Sequence, residues 1–187
     1  MKRLLVIFLT FLAVMGMWMT VSAAGPVRAK SVVLLVYNNQ AHKYYNAKLD
    51  KIALDYLNKK IEGLYYEADA ESYNKIFAQK SYEAASSEEL LNVIKDSNAD
   101  YFVYTELEPF STTEDYNFVY HNKSTTATMV LRIINVNDKK ELFAAKYALT
   151  SKDESDYGVI GNPSMAKKSL EAVLFKVGEA ISVHLPL

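Results

Sequence analysis

The 187-residue chain contains no cysteine, which excludes disulfide staples, a thiolate nucleophile and thiolate metal ligands. Bacterial lipid attachment also needs a cysteine just behind an export signal, so no lipid anchor is expected. A surplus of positive charge is missing too. The 21 basic residues are outnumbered by 22 acidic ones, leaving no excess to neutralise a phosphate backbone, and nucleic acid is not an expected partner. The three histidines, His42, His121 and His184, are scattered and show none of the His-x-x-x-His or His-Glu spacing of a metal or general-base site. No Gly-x-Ser-x-Gly elbow occurs. The stretch from Gly158 to Ser164, GVIGNPS, lacks the spacing and the closing Lys-Ser or Lys-Thr of a P-loop. Asp50 and Asp55 stand five apart, too far round a helix to share a proton, and read as solvated surface. These absences lead us to expect a protein that is not an enzyme and that uses no metal or cofactor. Internal repeats and low-complexity segments are absent as well.

What is present begins with Lys2 and Arg3, followed by an uncharged apolar stretch from Leu4 to about Val21 and the small residues Ser22, Ala23 and Ala24. This is the layout of a secretory signal, with cleavage expected after Ala23. The alternative is an uncleaved anchor, because the stretch is only slightly short of the ~20 residues that span a bilayer. Residues 1–23 then form a signal peptide, and 24–187 form one domain of ordinary size. Removing Lys2 and Arg3, with no acid lost, moves the formal charge from −1 to −3. An exported, cysteine-free chain points to the bacterial periplasm or the medium, since small eukaryotic secreted domains lean on disulfides. A loose association with a membrane surface stays compatible with this reading.

Ser31 to Tyr37 is apolar and rich in β-branched residues, as expected of a strand covered on both faces. From about Tyr44 to Ile61, Leu49, Ile52, Ala53, Tyr56, Leu57 and Ile61 recur at helical spacing, and Gly63 follows as a stop. Leu64 to Ala68 reads as a short strand, completing a βαβ unit. Ala70 to Ala85 suggests a short helix with a loop. Ser86 and Glu89 form a capping-box signal ahead of Leu90, Leu91 and Ile94, in a helix ending near Asn98. Tyr101 to Leu107 is a strand closed by Pro109. Thr125 to Val136 and Glu141 to Thr150 read as a hairpin about the Asn137-Asp138-Lys139-Lys140 turn. Asn162-Pro163 opens a final helix carrying Leu170, Val173, Leu174, Val177 and Ile181 on its buried stripe. The expected class is α/β, a mixed sheet of about five strands in the order β-α-β-α-α-β-β-β-α.

Three phrases carry a resemblance. Val32 to Asn39 reads VVLLVYNN, Ala99 to Leu107 reads ADYFVYTEL, and Leu131 to Ala144 reads LRIINVNDKKELFA. In this order they resemble the bacterial envelope family that includes the curli-secretion lipoproteins, the N-terminal domain of the Tol-Pal translocation protein and the lipoprotein activators of penicillin-binding proteins. Val36 and Thr105 depart from the proline and glycine usual there. The resemblance implies an anticodon-binding-like α/β fold and a periplasmic or secreted accessory protein for envelope assembly or secretion. It would act by contact with an envelope protein or by self-association, without catalysis.

Two sets of residues are candidate contact points. Asn38, Asn39, Tyr44 and Tyr45 flank the carboxyl end of the first strand, where open α/β sheets place their crevices. Amides there can exchange hydrogen bonds while tyrosines supply rigid apolar area. A small-ligand or glycan site at this end is the alternative function, and the plain alternative is a turn whose amides satisfy backbone. Tyr116, Phe118 and Tyr120 alternate onto one side of an extended segment, and they either pack on the domain or project as a ribbon for strand addition.

Overall fold

A computed structural model describes residues 31–41, 47–62, 66–67, 71–116, 121–155 and 162–186. The expected signal peptide, Tyr44, Tyr45, Phe118 and Tyr120 lie outside them. The elements run β1 (Val32–Asn39), α1 (Ala47–Ile61), β2 (Tyr66–Glu67), α2 (Glu71–Phe77), α3 (Ser87–Val93), β3 (Tyr101–Leu107), β4 (Ser111–Tyr116), β5 (His121–Asn135), β6 (Lys140–Ser155) and α4 (Asn162–His184). This is the expected mixed α/β order with one further strand, β4. That strand occupies the polar stretch after Pro109.

β1 is buried along almost its whole length because it lies between β2 and β3, parallel to both, with helices on each face. β3 then meets β5 antiparallel, Tyr101 opposite Asn135 through Leu107 opposite Met129. β5 is long enough to continue past the end of β3 and pair with β4, Ser111 opposite Thr126 through Tyr116 opposite His121. Its other side pairs with β6 along its full length, with a bulge where Ile134 faces Glu141 and Ile133 faces Phe143. Lys139 closes that hairpin with φ 54°, a left-handed position typical of tight turns.

Alternation along the strands divides the core in two. On one face Val33, Leu35, Val103, Met129, Leu131 and Ile133 pack against α1 and α4, which contribute Ala53, Leu57, Ile61, Leu170, Val173, Leu174, Val177 and Ile181. On the other, Leu34, Val36, Phe102, Tyr104 and Ile134 pack against Phe77, Tyr82, Leu90 and Ile94. Phe77 sits within 4.8–5.7 Å, ring centre to ring centre, of Tyr82, Phe102 and Tyr104. The first helical layer is built from long, periodic helices. The second consists of two short ones, of which α3 is held by its capping box: Glu89 N–H donates to Ser86 Oγ at 3.2 Å, and Ser86 N–H donates to the Glu89 carboxylate at 2.8 Å.

Asp100 joins three strand ends. Its carboxylate accepts from Val32 N–H at 2.8 Å and from the Asn137 side-chain amide at 3.1 Å. Its backbone N–H donates to Val32 O, and its carbonyl accepts from Val136 N–H. The acid in the Ala-Asp-Tyr phrase therefore sets where β1, β3 and β5 begin and end relative to one another.

Side chains of α1 lie against α4 at Gly178. A Cβ placed there would lie 2.7 Å from Lys60 Cε and 2.8 Å from the Tyr56 ring. Gly178→Val should lower unfolding stability by about 1–3 kcal/mol through overpacking, read as a reduced urea midpoint with the far-ultraviolet spectrum unchanged.

Candidate functional site

Asn38 and Asn39 are consecutive strand residues and so project to opposite faces. They do not share one cleft. Asn38 is fully buried on the α2/α3 face, where its amide nitrogen donates to Lys80 O and Tyr104 Oη, each at 3.0 Å, and reaches Glu106 at 3.4 Å. Its carbonyl accepts from the Gln40 side chain at 2.8 Å. Asn38 thus satisfies backbone and core groups inside the domain.

At the centre of that network is Glu106, only 1% exposed. It is the direct neighbour of Asn38 across the β1–β3 pairing. Its carboxylate accepts from the Ser81 hydroxyl, the Tyr104 hydroxyl and Tyr82 N–H, the last at 2.8 Å. Burial pushes the Tyr104 hydroxyl far above the usual phenol range, so it stays protonated and donates. A carboxylate surrounded by donors in this way binds the 80–82 loop to the sheet. Composition gave no signal for Glu106, because a glutamate within an apolar strand reads as an interruption.

Asn39 faces the α1 side. Its amide donates to Asp50 Oδ1 at 2.5 Å, and its carbonyl accepts from Ala41 N–H at 2.8 Å. The Tyr37 hydroxyl also reaches Asp50 Oδ1, at 3.4 Å. Asp50, expected to be solvated, is half-buried here. Among the described residues β2 pairs with Val32 and Val33, and further along β1 the Asn74 side chain accepts from Tyr37 N–H at 3.1 Å. A cleft of about 440 Å³ opens there, lined by Tyr37, Asn39, Asp50, Leu54, Asn74 and Ala78 together with Glu71 and Lys75. It combines two carboxylates, an ammonium, two amides and a phenol with the apolar Leu54 and Ala78.

Tyr116 ends β4 opposite His121. Phe118 and Tyr120, the other two members of the expected aromatic ribbon, lie outside the described residues. His184 stacks on Phe143, ring centres 3.8 Å apart. Among the described residues no group of three or more histidine, aspartate and glutamate side chains could hold a metal, and no helix is long and apolar enough to cross a membrane.

The opposite end of the sheet carries two ionic clusters. The buried Arg132 guanidinium donates to both Glu141 oxygens, at 2.6 and 3.1 Å, to Ala85 O at 2.5 Å and to Ser87 Oγ at 2.9 Å. Lys146 on β6 meets Glu83 at 2.7 Å and Glu108 at 2.5 Å, contacts that raise its pKa above the usual lysine range. These pairs tie the loops before α3 and after β3 to the β5–β6 ribbon. The ribbon reaches beyond α2 and α3, so these tethers take the place of a covering helix.

Arg132 holds the Glu141 carboxyl below its ordinary value of 4.5. Folding therefore favours the ionised form, a contribution complete above the ordinary carboxylate range and lost as falling pH protonates the folded group. Glu141→Gln should lower the thermal midpoint at neutral pH, and the gap between parent and variant should close on acidification below that range.

No family model matches the chain, and no curated protein matches it. Among solved structures it is similar to the hypothetical protein CT253 of Chlamydia trachomatis, with 15% identity over 83% of this chain and 99% of that one and a TM-score of 0.47. It is also similar to lipoprotein GNA1162 of Neisseria meningitidis, with 17% identity, 80% and 99% coverage and a TM-score of 0.38. The LpoB C-terminal domain of Salmonella enterica aligns at 18% identity over 67% of this chain and 87% of that one, with a TM-score of 0.38.

Proposed function

We propose that the chain is a non-catalytic accessory protein of the bacterial envelope, exported to the periplasm or beyond, that works by docking a protein along the free edge of its sheet. The observation that carries this reading is β6. It runs 16 residues from Lys140 to Ser155, and among the described residues it pairs with β5 alone. A long edge strand presents a row of unpaired N–H and C=O groups, and folded proteins usually block such rows. Here the two edges differ. The edge beside β1 is met by β2 and by the Asn74 side chain on Tyr37 N–H, whereas β6, packed on one face by α4, contains no proline and pairs along its outer edge with no strand among the described residues. Strand addition uses such an edge, backbone bonds supplying affinity and alternate side chains supplying selectivity. The three phrases shared with the envelope family support the location. Two acids, the buried Glu106 and the half-buried Glu141, support a holding role because each is engaged by donors within the fold.

A photo-crosslinking residue at Ala148 or Thr150, both exposed on β6, should give discrete protein adducts in the native envelope, while the same residue at Lys59 on α1 should not. Equal labelling from all three positions would refute docking at this edge.

The cleft beside Asn39 and Asp50 favours a second reading, a small-ligand or glycan-binding protein. If it is correct, a neutral oligosaccharide or muropeptide should raise the thermal midpoint, and Asp50→Ala should abolish the rise. No shift with any of these probes at millimolar concentration removes this reading.

A further inference from the structure

The occupant of the β6 edge can be read from its own sequence. Resting on the docking function above, we infer that β6 pairs antiparallel with β6 of a second copy, about a two-fold axis at Tyr147, so that two sheets join into one.

In an antiparallel pair related by a two-fold axis normal to the sheet, residues directly opposite share a face, and the contact is self-complementary. With the axis at Tyr147, Lys146 meets Ala148 of the second copy, Ala144 meets Thr150, and Phe143 meets Ser151. Beyond this the bulge matters. Ile133 faces Phe143 while Ile134 faces Glu141, so Leu142 is the extra residue. Carried through the bulge, the register sets Glu141 opposite Lys152. Glu141 stands on the same sheet face as Arg132, to which it is bonded. Lys152, opposite Ser124 and two residues from the bonded Thr126–Thr150 pair, stands on that face too. The two-fold axis repeats each pairing, so opposite charges meet at both ends of the joint.

Neighbouring registers are worse. Moving the axis one residue towards Lys146 sets Lys146 against Lys146, and moving it one residue the other way sets Lys152 opposite Ala144, out of line with Glu141. Like charges directly opposite one another destabilise a strand pair, and opposite charges stabilise it. Charge thus favours the register that also covers nearly the whole strand. Small or hydroxyl side chains at Ala144, Ala148 and Thr150, all exposed, leave the backbones free to approach.

The absence of cysteine allows a clean test. Tyr147→Cys in the full exported protein places two thiols across the axis, where opposing Cα atoms lie about 4.5–5.5 Å apart, within the ~4.4–6.8 Å that a disulfide spans. Mild oxidation should convert this variant to a covalent dimer. Ala144→Cys, whose two copies would sit about 20 Å apart along the strands, should remain monomeric under reducing-agent-free electrophoresis. Lys152→Glu, at an exposed side chain, gives a second measurement that does not depend on how Tyr147→Cys folds. It should weaken dimerisation by about ten-fold or more in sedimentation, since each copy then sets glutamate against glutamate. A parent protein that stays monomeric up to about 100 µM, or equal crosslinking through Cys at both positions, overturns the dimer. Photo-adducts from Ala148 to a different protein would then leave the docking function standing.

Discussion

Every antiparallel contact in the sheet passes through β5. One edge of this strand accommodates β3 and then β4, end to end, and the other takes β6 over its whole length. The consequence is geometric: whatever follows the hairpin must be the outermost strand, and it must be as long as β5. The hydrophobic layers do not extend as far. Helices α2 and α3 cover β1 and β3, while α4 supports β5 and β6 from the other side. Half of one sheet face is therefore left to small, hydroxyl and charged side chains.

A cysteine-free domain must hold its loops without covalent staples, and polar networks at two places serve this purpose. Glu106 gathers the 80–82 loop beneath the ends of β1 and β3, and Arg132 gathers the segment before α3 against Glu141. Both lie on the face with the short helices, where apolar area is least. A buried ionised group is costly unless it is surrounded by partners, and each of these is. Their value is in specifying one position for each loop, in a layer whose helices of seven residues would be marginal alone.

The elements that could be read from local pattern emerged close to expectation. β3 spans the residues assigned to it, the capping box forms between Ser86 and Glu89, and the whole stripe from Leu170 to Ile181 is buried. Each depends on periodicity or on contacts within four residues, which a sequence displays directly. β4 was less legible. Ser-Thr-Thr-Glu-Asp has no apolar alternation, and it is a strand because β5 offers it a partner. The site was less legible still. That Asn38 and Asn39 lie at a strand end followed from their position, and alternation separates consecutive strand residues onto opposite faces; which face each takes, and so which partners it meets, depended on the layers around β1. Asp50, Asn74 and Tyr37 meet because α1 and α2 both pack beside the end of β1.

The sequence by itself determined the α/β order, the absence of disulfides and thiol chemistry, and which residues form the two apolar layers, because alternation and helical periodicity are properties of neighbours along the chain. The tertiary structure decided which edge of the sheet stays open, where Glu106 and Arg132 find their donors and acceptors, and which polar groups line the cleft. These outcomes rest on pairings between residues dozens of positions apart, such as Asn38 with Glu106, and no local pattern encodes the register that brings them together.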